Sequence, residues 1–513
     1  MSATTTLSES GPPARDDRRH ARVAVIGTGF GGLGTAMRLK RQGVEDFVVL
    51  ERAGEVGGVW RDNTYPGCAC DVESHLYSFS FAPNPDWKHS FSRREEIWAY
   101  LRRCAEEFGV LPHVRFDTEV REAAWDAARQ RWRLETSRGT FTASVLVAAA
   151  GSLSEPSVPK LKGLENFGGR AFHSARWDHD YDLRGRRVAV VGTGASAVQF
   201  VPEIQPAVER LYVFQRTAPW VVPRRDRPLA ERERRMFRRF PLAQRARRAV
   251  IYSLRELLGF AFRHPWAMWY VAGVARRHLK KSVPDPALRA RLTPDYTIGC
   301  KRILISNDYL PALTRPNVEL VTESIAEVRG RCVITADGRA REVDAIIFGT
   351  GFRVTDLPFA EHVRGRGGRT LAEAWAGSPR AHVGTTVAGF PNLFLLQGPN
   401  TGLGHTSVIY MIEAQIEHVL SAVGYMSRHG IAEIEPRPEA QAAYVADVDR
   451  RMRGTVWDAG GCRSWYVDVT GRNSSLWPRP TWTFRRRVAR LAPGEYLFTP
   501  ERGAEVAQAR EAG

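Results

Sequence analysis

The chain has 513 residues, 43% of them hydrophobic, and a mean hydropathy of -0.32. That length exceeds what one hydrophobic core serves and suits two or three, and no run of about 18 apolar residues marks a membrane-spanning helix. A net charge of +18 invites a nucleic-acid partner, but no nucleic-acid-binding pattern accompanies it, so none is expected.

In chain order, the first 20 residues are polar, contain Pro12-Pro13 and lack an apolar core. They read as a disordered tail, not as an export signal. Arg22 to Ile26 form a short buried-type strand, followed by a glycine turn from Gly27 to Gly32, a helix expected over Leu33 to Gln42, and a strand from Phe47 to Leu50 that ends in Glu51. In such a unit Gly27 allows the tight turn, Gly29 lets the backbone approach a pyrophosphate, and Gly32 permits close helix packing. Glu51 is placed to accept from a ribose hydroxyl.

Next comes a dense loop with Gly57, Gly58, Val59 and Trp60, then Tyr65-Pro66-Gly67, then Asp71. Cys68 and Cys70 sit within it, too close for an easy bridge, and read as small packing residues. The six cysteines are few and scattered, which argues against a disulfide framework and for a reducing cytoplasm.

Val145 to Gly151 reads as an outward crossing into a second unit, and Phe167 to Asp178 carries Gly169, His173 and Trp177 at intervals of four. The strand Arg187 to Val191 then leads into Gly192, Thr193, Gly194, Ala195, Ser196 and Ala197, with the next strand over Leu211 to Gln215. Glu51 lies 19 residues after Gly32, and Arg216 lies 19 residues after Ala197. A guanidinium at that position, beside Thr217, grips a 2′-phosphate where a carboxylate would repel it. The first unit therefore suits FAD and the second NADPH.

Between Arg224 and Lys281, 17 Lys and Arg stand against 4 Asp and Glu, so +13 of the excess lies in this segment. Phe240, Leu254, Leu257, Leu258, Phe260, Phe262, Trp266, Trp269 and Tyr270 recur there at roughly helical spacing. An arginine-rich solvated helical insert is the favoured reading, with a membrane-surface or nucleic-acid patch as the alternative. Lys301-Arg302 follow as a cation pair, and Asp344 to Phe352 form a returning strand and glycine turn. The resulting fold class is α/β, with two Rossmann-like dinucleotide-binding domains and a helical subdomain. The FAD-binding domain is expected over 21–150 and 350–513, and the NADP-binding domain is inserted over 156–345 with its helices at 224–291.

Two stretches are more specific than the glycine turns. Phe167 to Asp178 fits F-x-G-x-x-x-H-x-x-x-W-(P/D), and Gly57 to Asp71 fits (A/G)-G-x-W-x-x-x-x-(F/Y)-P-(G/M)-x-x-x-D at every specified position. From about residue 20 to 490 the chain resembles the type I Baeyer–Villiger monooxygenases. The resemblance implies an NADPH- and FAD-dependent enzyme that uses O2, through a peroxide at flavin C4a, to convert a ketone to an ester or lactone.

The resemblance also implies residue roles. Gly58, Val59 and Trp60 would lie along the flavin, Tyr77 and Val120 would match cofactor contacts by register, and Asp71 would orient a catalytic Arg302. Lys301 would join Arg216 on the 2′-phosphate, and His173 and Trp177 would couple domain movement to cofactor position. Gly398 to His405 resembles a flavin-covering loop leading into a helix. Trp465 lies where relatives place an NADP-touching loop, although Val467 to Asn473 depart from the better-known cycloketone enzymes. The rival readings are a flavin-containing monooxygenase oxidising N or S centres, and a nucleotide-binding redox sensor docked through the basic insert. The sequence names neither the ketone nor the oligomeric state.

Overall fold

The computed structural model describes residues 19–501; residues 1–18 of the expected tail lie outside the described residues. Two sheets organise the chain. At the centre of the first, His20–Ile26 pairs in parallel with Phe47–Leu50 on one side and Gly139–Ala148 on the other. Phe47–Leu50 is buried throughout, as expected of a parallel strand covered on both faces. The antiparallel strands Val120–Asp126 and Arg131–Thr136 extend this sheet. Two segments from far along the chain, Val363–Arg364 and Leu393–Leu395, complete it.

The second sheet is wholly parallel, in the order Val318–Val321, Arg210–Phe214, Arg187–Val191, Ala345–Phe348, Arg170–His173. Ala345–Phe348 therefore belongs to it, and the next strand of the first sheet is Val363–Arg364. The two units share a core, because one apolar cluster runs from Val23 and Leu33 through Tyr65 and Cys68 to Phe200 and Val190.

The first helix spans Phe30–Arg41, three residues earlier than expected. Gly31 and Gly32 are poor helix formers and hid its first turn from a propensity reading. The basic segment is helical, as expected, with Glu231–Arg239, Pro241–Arg263 and Trp269–Ser282 in succession.

That segment does not pack as a part of the second unit alone. Gln244 donates to the Asn84 carbonyl at 2.6 Å, Arg248 donates to the His75 and Ser78 carbonyls at 2.8 and 2.9 Å, and Arg255 pairs with Glu73 at 2.8 Å. Tyr252 bonds Thr481. The inward face of Pro241–Arg263 is thus mixed: Gln244, Arg248 and Arg255 reach the first unit, while Ile251, Ala261 and Phe262 are buried beside them. The polar contacts to the first unit come from residues that a hydrophobic pattern passes over, which is why the sequence pattern assigned the helix elsewhere.

Candidate active site

The first glycine turn is built by steric exclusion. Gly27 has φ +94°, and a Cβ there would stand 2.8 Å from the Ala149 carbonyl oxygen. At Gly32 a Cβ would fall 1.8 Å from the Gly27 carbonyl oxygen, so only glycine lets the helix approach the strand. Gly58, with φ +53°, brings its Cβ position within 3.0 Å of the Gly29 Cα. The dense loop and the turn are therefore pressed together backbone to backbone.

They border a cleft of about 560 Å³, within the range of cofactor and ligand sites. Gly27, Gly29, Glu51, Gly58, Val59, Trp60, Tyr77 and Val120 all line it. The Trp60 indole donates to the Tyr77 hydroxyl at 3.2 Å, which fixes both rings at the wall. The Phe30–Arg41 helix opens on the cleft, so its first amides face an incoming anion.

Glu51 does more for the turn than the sequence suggested. Its buried carboxylate accepts from the Thr28 amide at 2.9 Å, the Thr28 hydroxyl at 2.6 Å and the Ala53 amide at 3.0 Å, and pairs with Arg61 at 3.2 Å. A ribose hydroxyl would take the place of the Thr28 hydroxyl or of Arg61 on it.

The second turn repeats the design. Gly192 has φ +104°, a Cβ there would meet the Gly349 carbonyl oxygen at 2.6 Å, and the Ala195–Ile204 helix starts directly after Gly194. Ser196 lies in its first turn, and buried Ala197 abuts Gly349. Thr193 donates to the Thr217 carbonyl at 3.4 Å, tying the turn to the strand end that carries Arg216. Lys301 is close enough to Arg216 that, after burial, this like charge lowers its pKa. Lys301 also lies over the Tyr296 ring at 4.9 Å. Two cations from segments 85 positions apart in the chain thus converge, with the Asp295 carboxylate also within electrostatic reach of Lys301, a pairing of cations that suits a phosphate monoester.

Arg302 and Asp71 meet as the resemblance implied, at 3.4 Å. Burial works against the guanidinium charge, but Asp71 together with Tyr466 and Cys70 outweighs it, and the Arg302 pKa lies above its ordinary value. Asp71 is 13% exposed and Arg302 37%, so the acid is tucked away while the cation keeps a free side. Cys70, Tyr466 and the cleft-lining Tyr77 each lie within electrostatic reach of Arg302. Burial pushes the Cys68 and Cys70 thiols up to about 12, which leaves them protonated packing groups, as expected.

The sequence reading missed Gln199. Its side chain accepts from the Tyr65 hydroxyl at 3.0 Å and the Ala69 amide at 3.3 Å, and donates to the Ala69 carbonyl at 2.9 Å and to Asp71 at 3.4 Å. It rides on the helix after the second glycine turn, so one amide holds the first unit's aspartate to the second unit. Its only signal was a polar residue on an apolar helix. Gly67 reinforces the joint, because a Cβ there would stand 2.8 Å from the Gln199 carbonyl oxygen.

His173 and Trp177 sit at the same junction. Trp177 packs on Phe200 at 5.3 Å and Phe172 at 5.3 Å, and Phe200 in turn meets Tyr65 at 6.2 Å. His173 accepts from the Ala175 amide at 3.1 Å and stands edge-on to Phe352 in the returning crossing. Desolvation lowers its pKa to about 4, so it is neutral at pH 7. Its place is a hub between crossings, and a proton-transfer part is not supported. Gly169 is required there because a Cβ would stand 2.4 Å from the Asp344 carbonyl oxygen.

One expectation fails. Cys300 and Cys462 form a disulfide, although the scattered cysteines argued against one. The pairing spans 162 positions and is brought about by a contact between the two loops, where the Thr297 amide donates to the Gly460 carbonyl at 3.0 Å. No local spacing announces it. The bridge joins the segment bearing Lys301 and Arg302 to the loop bearing Trp465, which is 46% exposed and packs on buried Tyr466 at 4.2 Å.

Comparison with known proteins agrees with this geometry. The pattern of the flavin-binding monooxygenase-like family matches residues 20–256. A Baeyer–Villiger monooxygenase of Streptomyces coelicolor is 54% identical over 496 residues, covering 96% of each chain. One from Pseudomonas aeruginosa is 50% identical, covering 96% of this chain and 94% of its own. An oxidized steroid monooxygenase solved with NADP bound matches with a TM-score of 0.83 and 32% identity, over 93% of this chain and 99% of that one. With over half its residues shared along nearly its entire length, the chain belongs to the Baeyer–Villiger monooxygenase family.

Proposed function

We propose that this enzyme inserts one oxygen atom of O2 beside a ketone carbonyl to give an ester or lactone, using NADPH and FAD. The observation that carries the reading is Arg302 held by Asp71 at 3.4 Å across the junction of the two units, within electrostatic reach of Tyr77, which lines a cofactor-sized cleft.

The cleft of about 560 Å³ lies against the Gly27 turn and the N-terminus of the helix after it, which suits the pyrophosphate of FAD. Gly27, Gly29, Gly32 and the helix N-terminus would hold its pyrophosphate and Glu51 its ribose, with Gly58, Val59, Trp60, Tyr77 and Val120 as walls. In the second unit, Gly192, Gly194, Ala195, Ser196 and Ala197 would take the NADPH pyrophosphate, Arg216, Thr217 and Lys301 its 2′-phosphate, and Trp465 would cover it. When bound, the flavin accepts reducing equivalents from NADPH and activates dioxygen. The protein contributes Arg302, which stays protonated at every working pH and stabilises the oxyanion that develops as the ketone carbonyl is attacked. Asp71 positions that cation, and Gln199 positions Asp71. A cytoplasmic location, where NADPH is regenerated, suits this chemistry.

Incubation with NADPH, isotopically labelled O2 and a panel of cyclic, linear and aryl ketones should yield ester carrying one labelled oxygen. Sulfoxides or N-oxides as the sole products across amine, sulfide and ketone panels would overturn the reading. Arg216→Ala is expected to raise the KM for NADPH by about 10–100-fold, the worth of a charge-assisted phosphate contact, and to leave the KM for NADH nearly unchanged. Parallel steady-state kinetics check this, and equal losses for the two nucleotides would remove the phosphate clamp.

A further inference from the structure

We propose that the helical insert is a docking surface for an anionic lipid bilayer, on which the enzyme rests peripherally. The inward face of Pro241–Arg263 is fixed by Gln244, Arg248 and Arg255 on the first unit and by buried Ile251, Ala261 and Phe262, which turns the opposite face to solvent. Leu254, Leu257 and Phe260 lie on that face, Trp266 follows at the corner, and Trp269 and Tyr270 open the next helix. These six are between 40% and 70% exposed. They adjoin one another, with Phe260 edge-on to Trp266 at 6.2 Å and Trp269 to Tyr270 at 6.0 Å. Leaving so many large apolar groups in water is costly, and soluble monomers rarely do it without a partner.

The surrounding charge says which partner. Arg247 lies on the same outward line as Val250 and Leu254. On Trp269–Ser282, Arg276, Arg277, Lys280 and Lys281 share the outward side with Trp269 and Tyr270. All five cations are exposed, and none forms an ion pair with a described residue. Aliphatic residues, Trp and Tyr beside uncompensated Arg and Lys are the composition that inserts shallowly at a headgroup layer, with the rings at the interface and the cations on lipid phosphates.

Other occupants fit less well. A nucleic acid would use the cations and leave Leu254 and Leu257 without a counterpart. A second copy in a twofold contact would bring the same cations face to face. No described helix is long and apolar enough to cross a membrane, so the insert lies on the bilayer.

The test is sedimentation of the full-length holoenzyme with phosphatidylcholine vesicles, with and without roughly one-third phosphatidylglycerol. Binding is expected only to the anionic vesicles and should weaken steeply with added salt. The combined variant Leu254→Ser, Leu257→Ser, Trp266→Ser, Trp269→Ser should bind at least about tenfold more weakly while keeping its flavin content and melting temperature. A second variant, Arg276→Glu with Arg277→Glu, should lose the preference for anionic vesicles. Failure of the wild-type protein to sediment with anionic vesicles overturns the proposal. So does dimerisation that the four substitutions abolish, or tighter binding to duplex DNA than to anionic vesicles.

Discussion

Replacing Arg302 with alanine should lower the rate of ester formation by about 10²–10³-fold, the range seen when one preorganised oxyanion donor is removed. Reduction of the flavin by NADPH should persist, since the clamp residues Arg216 and Lys301 and the glycine turn at Gly192 to Ala197 are untouched. The asymmetry follows from placement. Arg302 is paired with Asp71 and keeps 37% of its side chain exposed, so under the proposed function it would face the reacting atoms while Arg216 and Lys301 would hold the nucleotide. Arg302→Lys keeps the charge and loses the planar fork, and an intermediate rate is expected. Anaerobic rapid mixing with NADPH reports reduction, and product quantitation under air reports oxygen insertion. Ester formation by Arg302→Ala at the wild-type rate would remove the cation from the mechanism.

The second large effect is expected at Gly32. An added methyl at 1.8 Å from the Gly27 carbonyl oxygen cannot be relieved by a side chain, because the obstacle is backbone. The Phe30–Arg41 helix would have to withdraw from the strand, which moves its N-terminal amides away from the pyrophosphate position. Gly32→Ala should therefore retain FAD at least tenfold to about a hundredfold less tightly and be purified largely without it. Gly273→Ala is the control: that exposed helical glycine has nothing within 4 Å of its Cβ position, and its flavin content should match wild type. The ratio of flavin to protein absorbance reads both. Full occupancy in Gly32→Ala would mean that the turn is not where FAD binds.

Gly32 could be named from local spacing, Arg302 only through the resemblance. A strand, glycine turn, helix and charged strand end lie within a few dozen residues, so Glu51 and Arg216 were legible by counting. Asp71 and Arg302 stand 231 positions apart, and only the resemblance joined them. The unread features are long-range. Gln199 meets Asp71 across 128 positions, and Cys300 finds Cys462 through a contact between loops. Thr118, Gln397 and Ile412 reach the cleft from separate segments, with no pattern to announce them. The insert misled for another reason: its periodicity was correctly helical, but periodicity does not say that Gln244, Arg248 and Arg255 turn inward beside Ile251, Ala261 and Phe262 and tie the helix to the first unit.

The bridge between Cys300 and Cys462 sets a leash. Trp465 is three residues from Cys462, a stretch that spans at most roughly 10 Å when fully extended. However far the rest of that segment swings to admit or release a nucleotide, this indole stays tethered beside Lys301 and Arg302 as long as the bond is intact.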